Sequence, residues 1–284
     1  WAGGMAPLDA LMHMFTTVSL GGLSSHDLSF GYFQSPLLEA ICIFFMLVAS
    51  CNFALYFVAF RKGHWGGFWR DPELRATLVT LIGGGLLVAL LLWAKGVYAP
   101  LDALRHGTYN LVSLATTTGY ATVDYLAWPV FAPVFMLLLS GVATSAGSTG
   151  CGIKMVRMLI LLKQARREMN RLVHPRAVQP VRLGDAVVDN RVIFSVLAFM
   201  LVYGATIFGL SMVLLLTDLD PVTAFSAVLA SVNCAGPGLG AVGPSSNFAV
   251  LTDFQIWVCT LAMLLGRLEI LSFMALLTPA FWRR

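Results

Sequence analysis

The chain has 284 residues, of which 58% are hydrophobic and 11% charged, with a formal net charge of +4. A mean hydropathy of +0.81 lies outside the range of soluble globular domains and implies a polytopic membrane protein. No apolar run alternates with period two, which excludes a transmembrane β-barrel and leaves an all-α fold.

In chain order the apolar runs are Pro36 to Phe60, Leu74 to Trp93, Trp128 to Ser140, Ile153 to Leu162, Val192 to Leu216 and Phe254 to Trp282. Several are long enough to span a bilayer with tilt. Three times a shorter segment recurs between or before them, opening near Pro-Leu-Asp or Asp-Pro and ending in a glycine-centred turn. The turns are Ser19-Leu20-Gly21-Gly22-Leu23-Ser24, Thr116-Thr117-Thr118-Gly119-Tyr120 and Asn233-Cys234-Ala235-Gly236-Pro237-Gly238. A dozen helical residues rise about 18 Å, short of the hydrocarbon core of about 30 Å, so these segments are predicted to dip in and return. Non-helical backbone at that depth is tolerated only where it is buried in protein or lines water, which points to an ion pathway.

The order of span, short helix, turn and span divides the chain into helix–pore-loop–helix units at residues 1–60, 61–173 and 174–284. The first unit lacks its leading span. Three units make an uncomfortable ring, so the chain is expected to be the C-terminal part of a longer one that supplies a fourth. No cleavable signal peptide is recognisable at Trp1.

Charge assigns the two sides. Residues 61–75, residues 154–191 and the C-terminus hold fifteen of the eighteen Lys and Arg, and the positive-inside rule makes that side cytoplasmic. The other side keeps Lys95 and Arg105 but gathers Asp9, Asp27, Glu39, Asp102, Asp124, Asp218, Asp220 and Asp253. Such an outer face concentrates cations at a pore mouth; Asp102 and Asp220 also stand where they would cap helices. The five cysteines, Cys42, Cys51, Cys151, Cys234 and Cys259, follow no metal or disulfide spacing and read as small core residues. Gly238-Leu-Gly-Ala-Val-Gly243 matches a dinucleotide pattern by spelling only, since no strand precedes it and prolines bracket it.

Between Ser140 and Ile153 an apolar run is interrupted by Gly-Val-Ala-Thr-Ser-Ala-Gly-Ser-Thr-Gly-Cys-Gly. Four glycines and several hydroxyls suit a helix interior poorly, so a break at mid-membrane is expected, with close helix packing as the alternative. Arg267 lies within the last apolar run, and Glu269, two residues on, does not share its helix face. An intramembrane arginine faces a cavity or a partner on another helix.

The strings DALMHMFTTVSLGGLSSHD, ATTTGYATVDY, SGVATSAGSTGCGIK, ASVNCAGPGLG and LGRLEI resemble, in order and over essentially the whole chain, the Trk/Ktr/HKT superfamily of potassium and sodium transporters, most closely its TrkH branch. The resemblance implies four helix–pore–helix units and a potassium filter of backbone carbonyls. Its central glycines would be Gly22, Gly119 and Gly236, preceded by Leu20 and Gly21, Thr117 and Thr118, and Cys234 and Ala235. The hydroxyls of Ser19 and Thr116 would add ligands or bond the loop, and Asn233 with Pro237 makes the third turn least like a potassium-channel signature. A shorter, less selective ion column than in tetrameric potassium channels is therefore expected.

The resemblance also implies that residues 141–152 form an intramembrane gate, here Gly141, Thr144, Ser145, Gly147, Ser148, Gly150 and Gly152, with Arg267 as a positive barrier beneath the filter. It implies a homodimer in the bacterial inner membrane with a cytoplasmic C-terminus. A TrkA-type ring would bring nucleotide control (NAD or ATP), so potassium is cargo and no cofactor is expected in the chain itself. The basic stretch carrying Arg157, Lys163, Arg166, Arg167, Arg171 and Arg176 would face anionic lipid or that ring; nucleic acid is not expected beside a membrane span. A sodium or cation-coupled secondary transporter with broken helices and an inactive fragment are the alternatives. An intramembrane hydrolase using Ser145 or Ser148 lacks a base, since His13, His26, His64, His106 and His174 all lie outside the full spans.

Overall fold

A computed structural model describes residues 1–63, 65–176, 179–276 and 278–283. His64 and Arg284 lie outside the described residues. The described helices are α1 (Pro7–Val18), α2 (Pro36–Ser50), α3 (Phe53–Lys62), α4 (Gly66–Arg70), α5 (Pro72–Ala94), α6 (Pro100–Ala115) and α7 (Phe131–Ser140), followed by α8 (Met155–Val173), α9 (Asn190–Leu215), α10 (Pro221–Val232), α11 (Asp253–Arg267), α12 (Ile270–Leu276) and α13 (Pro279–Trp282). Among the described residues the fold is helical apart from one short hairpin, β1 (Arg182–Leu183) with β2 (Ala186–Val187).

Local chemistry sets the helix starts. Proline opens α1, α2, α5, α6 and α10, where its missing N–H costs no helical bond. Asp71, Asp189 and Asp220 cap α5, α9 and α10 by accepting from Leu74, Arg191 and Thr223 N–H groups. Of the two aspartates expected to cap, Asp220 does so; Asp102 sits inside the first turn of α6, which has no side-chain cap.

Two helices are long and apolar enough to cross a membrane unbroken, α5 with 23 residues and α9 with 26. The expectation of continuous runs at Pro36 to Phe60 and Phe254 to Trp282 is corrected. The first bends by 88° between α2 and α3, and the second by 103° between α11 and α12. At the first bend Cys51 is extended and the Asn52 side chain starts a new helix by accepting from Ala54 N. At the second, Glu269 adopts a left-handed conformation with φ of 55°. The run Ile153 to Leu162 is likewise no separate span: most of it lies in α8, whose remaining turns carry exposed Arg166 and Arg171 and half-buried Arg167.

The core gathers around the short helices α6 and α10. Leu81, Val88 and Leu92 of α5 pack with Leu111 and Leu114 of α6, Met136 of α7 and Val228 of α10, all nearly inaccessible. Small residues allow the closest approach. A methyl group on Gly107 of α6 would lie 3.0 Å from the Ala89 backbone of α5.

Candidate ion filter and gate

The three glycine turns follow α1, α6 and α10, of 12, 16 and 12 residues. All three helices end in the same cap. Ser19, Thr116 and Asn233 remain near helical geometry, with φ of -79°, -79° and -82°. The next residues, Leu20, Thr117 and Cys234, swing to φ of 53°, 63° and 53°. Their N–H groups donate to the carbonyls of Thr17, Leu114 and Ser231 at 3.1, 3.0 and 3.0 Å. One residue further, the Gly21, Thr118 and Ala235 N–H groups reach back to Thr16, Ser113 and Ala230 at 2.8, 2.9 and 2.8 Å. This pair of bonds is a Schellman cap, whose left-handed position usually holds glycine. Here leucine, threonine and cysteine occupy it, at a cost of about 1–2 kcal/mol each. The third turn, expected to be the odd one, shares this backbone conformation.

Glycine is needed at the fourth position. Gly22, Gly119 and Gly236 have φ of 61°, 90° and 87°. A methyl group on Gly22 would overlap the Thr118 carbonyl oxygen, and one on Gly119 would overlap that of Ala235. The first turn therefore lies against the second and the second against the third, with Gly22 and Gly119 each backed by a neighbour's carbonyl. Among the described residues, none of the twelve carbonyls of residues 19–22, 116–119 and 233–236 accepts a hydrogen bond from protein. Backbone carbonyls away from bulk water are normally paired, and this many free ones in one place form a ready set of oxygen ligands for a cation.

The polar side chains of the turns are spent on holding them. Ser19 Oγ donates to Thr16 O at 3.4 Å, and Thr116 Oγ1 donates to Ser113 O and pairs with Thr118 Oγ1 at 2.8 Å. Asn233 accepts from Tyr203 of α9 at 2.7 Å and donates to Ser140 of α7 at 2.9 Å. Of the two uses expected for the hydroxyls of Ser19 and Thr116, the structure shows loop bonding. Buried Tyr120 follows the second turn and crosses to α1, where its hydroxyl meets Thr16 Oγ1 at 2.5 Å and Thr17 Oγ1 at 3.3 Å. Asn110 of α6 holds the way out, accepting from Thr122 N at 3.1 Å. The sequence places Tyr120 in the second turn and marks nothing at Asn110, so these braces are not visible in it.

Beneath the turns, α7 stops at Ser140 and α8 starts at Met155, so the chain breaks where its glycines predict. The intervening loop closes on itself. Ile153 N donates to Gly141 O at 2.6 Å, Met155 N to Thr144 O at 2.7 Å, and Thr144 Oγ1 to Cys151 O at 2.9 Å. It is also tied to the first bend, where Ser145 N donates to Ser50 O at 3.0 Å and Gly147 O accepts from Phe53 N at 3.2 Å. Glu73 of α5 accepts from Ala146 N at 2.6 Å and Val156 N at 3.2 Å, and Thr77 pairs with Ser145 Oγ at 3.0 Å. Ser148 Oγ donates to Ser145 O at 2.6 Å. Glu73 stands in the first turn of a long apolar helix, where an acidic residue reads as a dipole partner; its role as anchor is invisible in sequence.

The loop touches the end of α1 and the second turn above it. Thr149 Oγ1 donates to Val18 O at 3.4 Å, and Cys151 N donates to Thr117 Oγ1 at 3.4 Å. Gly150 packs under the second turn, where a methyl group added to it would lie 3.2 Å from Thr117 Oγ1. On the opposite side a cavity of about 420 Å³ is lined by Gly147, Ser148, Gly152, Lys154, Arg157 and Arg267, among others.

Arg267, expected to face a cavity or a partner, lines this cavity. It ends α11 at the bend, exposed to this cavity, and Nη1 donates to Thr149 O at 2.8 Å and approaches Cys151 Sγ at 3.5 Å. Gly266 before it fits because a methyl group there would overlap the Val232 carbonyl of α10. Glu269 pairs with Arg157 of α8 at 2.8 Å, and Lys154 donates to Gly150 O. Three cations and one carboxylate thus surround the space under the loop.

At the opposite end, Glu39 is almost wholly buried and makes a two-pronged pair with Arg105, both contacts at 2.7 Å. Asp9 accepts from Ser25 at 2.7 Å and pairs with His26 at 3.3 Å. These two acidic groups are engaged within the fold, which reduces the free negative charge expected on that face. The Gly238–Gly243 stretch folds over α10, with Ser226 Oγ bonded to both the N–H and the carbonyl of Leu239, and forms no strand.

A family model described as TrkH, cation transport protein, matches residues 2–283. The Trk system potassium uptake protein TrkH of Vibrio parahaemolyticus serotype O3:K6 is 42% identical over 286 residues, covering 100% of this chain and 59% of the relative. The Trk system potassium uptake protein TrkH of Escherichia coli strain K12 is 39% identical over 285 residues, covering 100% and 58%. A crystal structure of the potassium transporter TrkH from Vibrio parahaemolyticus superposes with a TM-score of 0.94 at 41% identity, covering 100% of this chain and 61% of that one. The chain spans less than two thirds of the length of these relatives.

Proposed function

The chain belongs to the TrkH cation-transport family, and from that premise we propose that it forms three walls of a potassium-conducting filter with an intramembrane gate beneath it. The observation that carries this reading is the set of unpaired carbonyls in three turns of one conformation. A dehydrated potassium ion needs oxygen ligands to replace its hydration shell, and the carbonyls of Leu20, Gly21, Thr117, Thr118, Cys234 and Ala235 supply them. The carbonyl ends of α1, α6 and α10 add a partial negative charge toward the same place.

In this reading residues 141–152 obstruct the path, and Arg267 holds the obstruction through Thr149 while repelling cations. Units 1–60, 61–173 and 174–284 each contribute one turn, and the rest of the ring comes from the longer protein. The basic side, with the C-terminus, faces the cytoplasm from the bacterial inner membrane. The protein works as a homodimer with a TrkA-type nucleotide-binding ring, and α8 offers that ring its basic face. Rubidium and sodium flux into liposomes carrying the complete protein tests the function. Rubidium uptake well above sodium uptake is expected; flux no greater than through protein-free liposomes would overturn it.

A further inference from the structure

The three cations that line the cavity beneath the loop are not equally engaged. Arg157 is satisfied by Glu269 at 2.8 Å, by the carbonyl of Ile153 at 3.5 Å and by the Phe199 ring, whose centroid lies 4.1 Å from Cζ. Lys154 and Arg267 form no ion pair among the described residues. Each is held on the loop instead, Lys154 by the carbonyl of Gly150 and Arg267 by that of Thr149, so consecutive peptide groups hold both charges against one short stretch of backbone. An ammonium has three donors and a guanidinium five. After these bonds Lys154 keeps two, and the Nε and Nη2 edge of Arg267 has no protein acceptor among the described residues. Such an edge is the fork that takes two oxygens of an oxyanion at once. The backbone points the same way. Lys154 has φ of 76° and ψ of 142°, a conformation left mostly to glycine. The N–H groups of Gly147, Thr149, Gly150 and Gly152, all residues of the cavity wall, also lack a protein acceptor among the described residues. Free N–H groups beside unpaired cations in a polar concavity suit an anion.

We propose that this cavity is a binding site for a small oxyanion of the phosphate or sulfate class, held between Lys154 and the Nε and Nη2 edge of Arg267. The balance of charge decides the sign of the ligand. Lys154, Arg157 and Arg267 against Glu269 leave an excess of positive charge in one concavity, which repels potassium and attracts a divalent oxyanion. The volume of about 420 Å³ and the glycines of the wall leave room for it beside the two side chains. Binding rests on the cavity alone; its effect on ion flow rests on the proposed gate and on Arg267 as its barrier. A bound oxyanion with two negative charges offsets that excess and lowers the electrostatic barrier beneath the filter, so cation flux rises as the site fills.

Equilibrium dialysis of the complete protein in detergent against radiolabelled inorganic phosphate tests the binding, with thermal unfolding to verify that each preparation is folded. One saturable site per chain is expected, displaced by sulfate and weakened about tenfold or more in Lys154→Ala and in Arg267→Ala. Arg61→Ala, an exposed cation at the end of α3 and outside the cavity, binds as the unsubstituted protein does. Absence of saturable binding to the unsubstituted protein overturns the site, whatever the variants do. Undiminished affinity in folded Lys154→Ala and Arg267→Ala overturns it as well. Rubidium flux in liposomes is then followed with phosphate replacing gluconate on both faces at constant ionic strength. A several-fold rise that follows the binding curve is expected. Flux that does not rise with bound phosphate leaves the site standing and overturns Arg267 as the barrier, whereas no flux at any phosphate concentration overturns the transport reading itself.

Discussion

The three glycine turns and the loop beneath them are both glycine-rich and non-helical, yet their backbones are held differently. Each turn is fixed by its own preceding helix through a cap that recurs three times, with bonds spanning only a few residues. The loop occurs once and, besides bonds within itself, is fixed by distant groups: Ser50, Phe53, Glu73, Thr77 and Arg267. Locally determined backbone keeps its shape when its surroundings shift. Backbone held by several distant contacts has a second arrangement available when a few of them let go, which is what a gate requires.

The largest effect is expected where a turn cannot yield. Gly119→Ala places a methyl group on the Ala235 carbonyl and 3.1 Å from Pro237 Cδ, at a φ of 90°. The backbone strain alone costs about 1–3 kcal/mol. Rubidium flux falls to background and thermal stability drops. If flux survives, the turns are softer than the comparison requires.

Glu73→Ala attacks the other region. It leaves the Ala146 and Val156 N–H groups without their carboxylate, at about 1–3 kcal/mol each if they stay buried. The loop loosens, so flux rises while stability falls; Glu73→Gln, which keeps one carbonyl acceptor, lies between. Flux and thermal unfolding measured on the same preparations separate a freed gate from a damaged fold.

A smaller change is expected from Tyr203→Phe, which removes the hydroxyl bonded to Asn233 at 2.7 Å. The loss is about 1 kcal/mol, read as a lower unfolding temperature with little change in ion selectivity, since the cap bonds of the third turn remain. A large shift in the rubidium-to-sodium ratio would instead make Asn233 a direct determinant of ion choice. The smallest effect belongs to Thr117→Val, which removes a long 3.4 Å contact with Cys151 N. It is worth about 0.5 kcal/mol and appears as a slightly greater open fraction in single-channel recordings.

The same contrast explains what was legible in the sequence. Gly22, Gly119 and Gly236 stand out because the positive φ that favours glycine there is local and repeats. The helix break after Ser140 is legible for a similar reason, since its glycines disfavour helix wherever they are placed. The two bends are not. Residues 36–60 and 254–282 have the hydropathy of continuous spans, and what turns them is an Asn52 cap beside a bond to the distant loop and a single left-handed Glu269. Hydropathy places Arg267 in an apolar run but does not show that the bend sets it at a helix end beside a polar cavity. The anchors of the loop, Glu73 and Thr77, look like ordinary residues of an apolar helix until the fold brings Ser145 and Ala146 against them.

Deleting residues 146–150 from the complete protein, joined by a short glycine linker, tests the gate most directly. Rubidium flux through liposomes is measured beside the unaltered protein, with thermal unfolding to verify folding. A folded deletion with clearly raised flux is the predicted result; a folded deletion with unaltered flux would contradict the loop as the barrier beneath the filter.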